Sequence, residues 1–393
     1  MRIHFVKVIL LSLSMIALAS SCKKDSTPDE FKRGGNSLLL ADNGNLVIAG
    51  YNSSATNGFQ ACLVMSNPTN GDTVWNRSFG GAYTDAFYSV KKANGGGYIA
   101  TGFSNKAAYS SPSMFVVMTD ANGNLTNSFK YGGSNLSQGL CILPHANPDS
   151  GYVVAGYIQN SSSTDRDIYL VHINNAGGTV WEKRYGAKST NSYDSVNEAA
   201  YGIINAPDGG YFLTGSINGY SSCCGKIFLM KVSAKGDSLW TKVFNLGIGT
   251  SLAMTNDGDV AIGGTSQETT NSNIELLKTD TAGNLLRKTI YGWTGFEYGT
   301  AMITTSDGGY AITGITDSKG AGKDDILLLR MNTLGEVQWY NTYGGAAVDQ
   351  GYGLVQNSDG GFCLTGLSNS WGSSIFLNRT SSDGTQLWYK NIK

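Results

Sequence analysis

The octapeptide Asp-Gly-Gly-Tyr-Ala-Ile-Thr-Gly at 307–314 recurs in recognisable form seven times along the 393-residue chain. Its copies end at Gly50, Gly102, Gly156, Gly215, Gly264, Gly314 and Gly366, so that neighbours lie 49 to 59 residues apart. A fixed period of this size makes the chain a series of equivalent supersecondary units. Each is too small to bury its own apolar face, so neighbours must stack.

Within one unit, residues 299–345, the pattern reads as four strands. A small apolar strand (299–305) leads through Ser306-Asp307-Gly308-Gly309 into a second strand at 310–315. After a polar loop come a third strand, Asp325–Met331, and a fourth, Val337–Tyr343, joined by a turn at Gly335. The third strands are apolar on both faces, as in Ile326-Leu327-Leu328-Leu329 and Ile227-Phe228-Leu229-Met230. A strand buried on both faces needs sheets stacked on either side of it. Short strands, tight glycine turns and the absence of a 3.6-residue period exclude a helical solenoid. The reading is all-β: a seven-bladed β-propeller of four-stranded antiparallel blades over 36–393. The chain enters on a first strand and ends within a fourth, at 386–392, so no strand is expected to be shared between the termini. Blades 1 and 7 would close the ring by face packing. Cys62 and Cys363 fall on either side of that seam, where a disulfide would staple it.

The hairpin of the third and fourth strands carries its own signature. A turn glycine is followed four residues later by Trp in five blades: Trp75, Trp181, Trp240, Trp339 and Trp388. Five residues before that glycine stands a basic side chain in five blades: His172, Lys231, Lys278, Arg330 and Arg379. These positions face each other across the hairpin, so a cation–π contact is expected, with His172 structural. Blade 5 places Arg287 opposite Lys278 and fits no such scheme. The hairpin resembles the repeat of quinoprotein (PQQ)-type propellers, which is also found in non-catalytic outer-membrane lipoproteins of Gram-negative bacteria. Those proteins usually have eight blades. No set of residues here carries over as a quinone or calcium site, so the resemblance implies the architecture and not the quinone chemistry.

In a four-stranded meander the tight turns share one face, and the 2–3 loops with the blade-to-blade connections share the other. The second face carries loops of varied length, where binding usually resides. Carboxylates enter the first strands there in four blades: Asp85, Glu198, Glu297 and Asp349. Each could cap its own turn by accepting backbone N–H bonds. Together they could instead hold a cation such as Ca²⁺, or a ligand, at the channel mouth. Among the aromatics of this face, Tyr51, Phe103 and Tyr157 are expected to pack on their own blades. Trp293 and Trp371 sit amid Gly and Ser and are the candidate ligand contacts.

The N-terminus is not part of this pattern. Arg2 and Lys7 precede an apolar run ending Leu18-Ala19-Ser20-Ser21-Cys22, which resembles a bacterial lipobox. The resemblance implies a signal peptide over 1–21, lipidation at Cys22, a flexible tether over 22–35 and anchorage in the outer membrane, periplasmic or at the cell surface. Without the leader, 26 basic residues stand against 29 acidic ones, which argues against a nucleic-acid partner. The adjacent Cys223 and Cys224 could form a vicinal disulfide, a metal-binding pair or two idle thiols.

Catalytic signatures are sparse. Beyond the leader the chain has two histidines, His145 and His172, and no nucleophile elbow, zinc-protease helix or phosphate loop. The expectation is a non-catalytic envelope lipoprotein without a cofactor, binding or scaffolding a protein or glycan through the variable-loop face. The alternative is a polysaccharide hydrolase or lyase built on Asp85, Glu198, Glu297 and Asp349.

Overall fold

A computed structural model describes residues 32–393 except 54–57, 82, 106–110, 161–164, 187–196, 218–224 and 269. The leader, Cys22, most of the tether and the Cys223–Cys224 pair lie outside the described residues.

The described residues form 27 strands arranged as seven antiparallel blades. Five blades are separate four-stranded sheets, each ordered first to fourth. Blades 4 and 5 depart from the expected pattern. They share one 17-residue strand, Ser238–Met254, which is the fourth strand of blade 4 and then the first of blade 5, giving a seven-stranded sheet. The connection there is the shortest: Trp240 and Gly264 are 24 residues apart, against 27 to 34 for the equivalent positions elsewhere, so the backbone runs on extended into the next blade. Blade 1 begins at Arg33, inside the expected tether, because Arg33, Gly34 and Gly35 pair with Asn52, Tyr51 and Gly50.

The first strands lie innermost. Each touches the first strands of both neighbours, and Asp349–Gln356 of blade 7 meets Arg33–Leu40 of blade 1. Seven inter-blade cores hold the ring, and no sheet is shared across the termini. The closing core joins Leu38, Ile48, Cys62 and Val64 of blade 1 to Cys363, Ile375 and Leu377 of blade 7. Cys62 and Cys363 share this core as free thiols, not as the disulfide that spacing allowed. Burial pushes their pKa values up to about 12 and about 11.

Every first strand carries a bulge at the same place. One residue, in order Asn36, Tyr88, Leu140, Tyr201, Thr250, Thr300 and Tyr352, has no partner on the second strand. The bulge drives a first-strand carbonyl onto the last glycine of the octapeptide. A Cβ added to Gly314 would stand 1.8 Å from the Tyr298 oxygen, and the other six copies give 1.8 to 2.1 Å. Three bulge residues bond the next blade: Asn36 Nδ2 donates to Phe87 O (2.7 Å), Thr250 Oγ1 to Gly299 O (3.0 Å) and Thr300 Oγ1 to Gly351 O (2.7 Å).

The outer hairpins interlock in one direction. Each Trp packs on the turn glycine of the following blade: Trp75 on Gly123, Trp181 on Gly236, Trp240 on Gly283, Trp339 on Gly384, and Trp388 on Gly71 across the seam. A Cβ on any of these glycines would come within 2.6–2.8 Å of the indole, so the contact requires glycine. Phe129 plays this part for blade 2. In blade 5 no aromatic takes this part: the next turn glycine, Gly335, meets Leu276 and Thr289, and Arg287 lies 3.9 Å from Glu336 of that turn.

The basic residues do lie opposite the Trp positions, as with Arg330 and Trp339. They do not form the expected cation–π pairs. The four Lys and Arg residues instead reach the aspartate of their own blade's octapeptide turn: Lys231 to Asp208, Lys278 to Asp257, Arg330 to Asp307 and Arg379 to Asp359, whereas His172 does meet its Trp181, edge-on at 5.3 Å. A carboxylate is the stronger partner for a largely desolvated cation. Lys278 holds Asp257 down to about 2. His172 is structural: Nε2 lies 2.8 Å from the Ser150 carbonyl, and its ring stacks on His145 at 5.4 Å.

Candidate functional site

The four predicted carboxylates do not meet at the axis. Each lies at the start of its first strand, buried against its own connection. Asp85 accepts from Gly81 N at 2.9 Å. Glu297 accepts from Trp293 N (2.9 Å), Thr316 Oγ1 (3.1 Å) and Ser318 Oγ. Asp349 accepts from Gly345 N (2.8 Å) and Ser370 Oγ (2.6 Å). Glu198 lies against Gly186 at the start of its connection. Blade 3 does the same work with a hydroxyl, since Ser137 Oγ donates to Tyr131 O and accepts from Met114 N, both at 2.9 Å. These are the turn-capping geometries. Among the described residues no group of three or more His, Cys, Asp and Glu is placed to hold a metal ion.

Near the variable-loop face the axis is filled. Tyr88, Leu140, Tyr201 and Ile248, from the first strands of four successive blades, pack with Tyr157. Tyr51 and Phe103 join through Tyr88. Tyr51, Phe103 and Tyr157 are 3%, 1% and 5% exposed, buried as expected but packed against neighbouring blades as well as their own. Burial, with Tyr157, Tyr51 and Tyr201 close by, pushes the Tyr88 hydroxyl well above its ordinary pKa. Tyr352 Oη donates to Gln350 Oε1 (2.6 Å), whose amide donates to Asp324 (2.9 Å).

The carboxylates do have a link to the predicted tryptophans. Glu297 takes the Trp293 N–H directly, and Asp349 takes the hydroxyl of Ser370, the residue before Trp371. Ser370 Oγ also accepts from Ala347 N at 3.0 Å. Two buried acids thus fix two aromatic loops, on the outer part of the face and not at its centre.

Trp371, 37% exposed, stacks on Tyr389 (ring centroids 4.9 Å, 30° between planes) and on the buried Phe376 (6.0 Å, 10°). Trp293 meets Tyr340 edge-on at 4.6 Å and Tyr291 at 5.0 Å, with Lys319 Nζ 5.5 Å over its ring. Tyr340 and Tyr389 were not singled out from the sequence. A signal existed, because the residue after the hairpin Trp is aromatic in blades 6 and 7, but Asn76, Glu182 and Thr241 in blades 1, 3 and 4. These aromatics belong to fourth strands, which a loop-based search passes over.

One pair of acids does come close. Asp325 and Asp349 flank Gly344, whose added Cβ would lie 2.6 and 2.7 Å from their oxygens. Gly322 N donates to Asp325 at 2.8 Å, yet burial, then Asp349, raises Asp325 from 3.8 to about 6. The folded state holds this proton more tightly than the unfolded chain does. Its contribution to stability is therefore complete below pH 3.8 and lost as pH rises through about 6. Asp325→Asn keeps an acceptor for Gly322 but never ionises. It is expected to melt above the parent at pH 7–8 and to converge with it near pH 4. A Tm difference independent of pH in a thermal-melt series would contradict this.

No family model matches the chain, and no curated protein matches it. Solved structures share its fold. The Sqt1 protein of Chaetomium thermophilum superimposes with a TM-score of 0.52 at 10% identity, over 88% of this chain and 97% of that one. The Dos1 propeller gives 0.50 at 11%, over 89% and 82%. The BP39L lectin of Burkholderia pseudomallei gives 0.57 at 8%, over 93% and 99%. At these identities the likeness is one of fold: the chain is a β-propeller similar in architecture to a lectin and to other propellers.

Proposed function

We propose that this chain is a non-catalytic, glycan-binding propeller of the cell envelope, tethered through a lipid on Cys22, that holds sugar rings on the aromatic surface of blades 6 and 7. The carrying observation is the Trp371–Tyr389 stack. Two half-exposed rings at 30° present a nearly continuous flat apolar face, the shape that stacks against the C–H face of a pyranose. The buried Phe376 beneath and the Asp349–Ser370 bond behind hold it rigid, which lowers the ordering cost of binding. The fold's use in a lectin is compatible with this reading. A hydrolase or lyase has less support, because the carboxylates it would need are buried in turns.

The tether's course fits the same face. Lys32 N donates to Ser373 Oγ at 2.7 Å, two residues beyond Trp371. The nine residues between Cys22 and Lys32, ten Cα–Cα steps, reach at most about 35 Å when extended. A lipid on Cys22 would therefore keep the Trp371 surface close to the membrane and its glycans.

A glycan array followed by calorimetry tests the idea. Trp371→Ala and Tyr389→Ala are each expected to weaken the best array ligand by about tenfold or more, as for aromatic hot spots, with Trp75→Phe as a neutral control. An array without any ligand, or unchanged affinity in both variants, overturns it. Retention of Cys22→Ser in the membrane fraction would remove the lipid anchor from the reading.

A further inference from the structure

A second surface lies on the side of the ring, away from the aromatic face. A cleft of about 490 Å³ opens between blades 1 and 2, walled on one side by residues 77–81 and on the other by Phe115, Leu125 and Lys130. At the end of the fourth strand, Tyr131, Tyr185 and Tyr343 each donate to the turn-glycine carbonyl of the next blade, closing the outer groove. Blade 1 has Phe79 at this position, as blade 4 has Phe244 and blade 7 has Ile392, and none of these can donate such a bond.

Two cations border the cleft, and no carboxylate lines it. Arg77 donates to the Asn76 carbonyl and lies 5.8 Å from the Trp75 ring. Lys130 donates to Ser104 Oγ at 2.9 Å and sits 5.6 Å over Phe115. Asp85 stands behind Ser104, buried, with burial raising its pKa. Arg77 also faces the exposed Asp120 and Lys130 the buried Asp85, but among the described residues neither cation is in a direct ion pair, which leaves both able to meet an incoming anion. The remaining wall is backbone: the fourth strand of blade 1, Thr73–Phe79, is the outer edge of its sheet, and its last three residues line the cleft.

We propose that this cleft takes an extended acidic peptide segment, which pairs its backbone with the free edge at 77–79 and sets its carboxylates against Arg77 and Lys130. An unpaired strand edge offers a row of N–H and C=O groups that a peptide completes by β-addition. An acidic polysaccharide could satisfy the charges but not that row. The ring faces within the cleft are also already covered, Phe115 by Lys130 and by Phe87 at 5.8 Å, and Phe79 by Phe87 at 5.7 Å, leaving no open platform for a sugar. The alternating apolar side chains of the peptide would rest on Leu125 and Phe79.

The probe is a fluorescein-labelled decapeptide of alternating Glu and Val, titrated with the full chain by anisotropy, with the Lys-Val decapeptide as control. Binding of the acidic peptide alone is expected, weakening as salt rises. Arg77→Glu with Lys130→Glu should reduce affinity at least about tenfold. Trp371→Ala should bind the peptide like the parent, which separates this surface from the proposed glycan site. Melting curves confirm that each variant is folded. Equal binding of both decapeptides, unchanged affinity in the charge-reversed variant, or tighter competition by an oligoglucuronate than by unlabelled Glu-Val peptide would overturn the proposal.

Discussion

Gly314→Ala is expected to unfold blade 6 or to cost at least about 3 kcal/mol, beyond the usual penalty for overpacking a core. The added methyl would stand 1.8 Å from the Tyr298 carbonyl oxygen and 2.9 Å from its carbon, both backbone atoms. Relief would need the first strand to surrender its bulge. That bulge places Thr300 to bond Gly351 O of blade 7, so the damage should spread across the interface. The backbone at Gly314 is ordinary extended strand, so conformational freedom is not the reason for the glycine. Gly308 in the same motif gives the contrast. It has φ +83° and open space around it except for Asn256 and Thr333 side chains, so Gly308→Ala should cost only the left-handed penalty of about 1 kcal/mol. Chemical denaturation of the two variants side by side measures the difference. Equal losses would show that turn geometry, and not strand approach, fixes the motif.

Trp388→Ala should produce the next largest effect, about 3 kcal/mol, as for loss of a large core aromatic. Its indole covers Gly71 across the seam, and Lys390 beside it pairs with Asp72 at 2.9 Å. Trp75→Ala removes the same contact between blades 1 and 2, but the chain itself still joins those blades. At the seam no covalent connection limits separation, so opening should begin there. Hydrogen exchange is therefore expected to accelerate in Leu46–Ser53 and Phe362–Ser368 of Trp388→Ala before the other blades are affected. Uniform acceleration around the ring would mean that the seam is no weaker than the internal interfaces.

The candidate site was less legible than the fold. Trp293 and Trp371 stood out as bulky aromatics among Gly and Ser. Their partners Tyr340 and Tyr389 lie 47 and 18 residues away in sequence and meet them only when fourth strands fold beneath the loops. The acids were visible as a repeated position, but repetition does not say where a side chain points. Asp349 and Glu297 turn back to hold the tryptophan loops instead of converging on the axis. Arg77 and Lys130 carried no sequence signal at all. Their cleft forms only where the fourth strand of blade 1 meets blade 2, and the two residues lie 53 positions apart in sequence.

The sequence alone determined the number of blades, the four strands of each and the phase of the ring, because these follow from local periodicity and turn chemistry repeated seven times. Tertiary structure decided what the repeated residues do. The last glycine of the octapeptide answers to a carbonyl on another strand, the tryptophan to a glycine on another blade, and the basic residue to an aspartate some twenty residues away. Such pairings are set by distance in space, and a repeat register gives position along the chain without giving the neighbour across the gap.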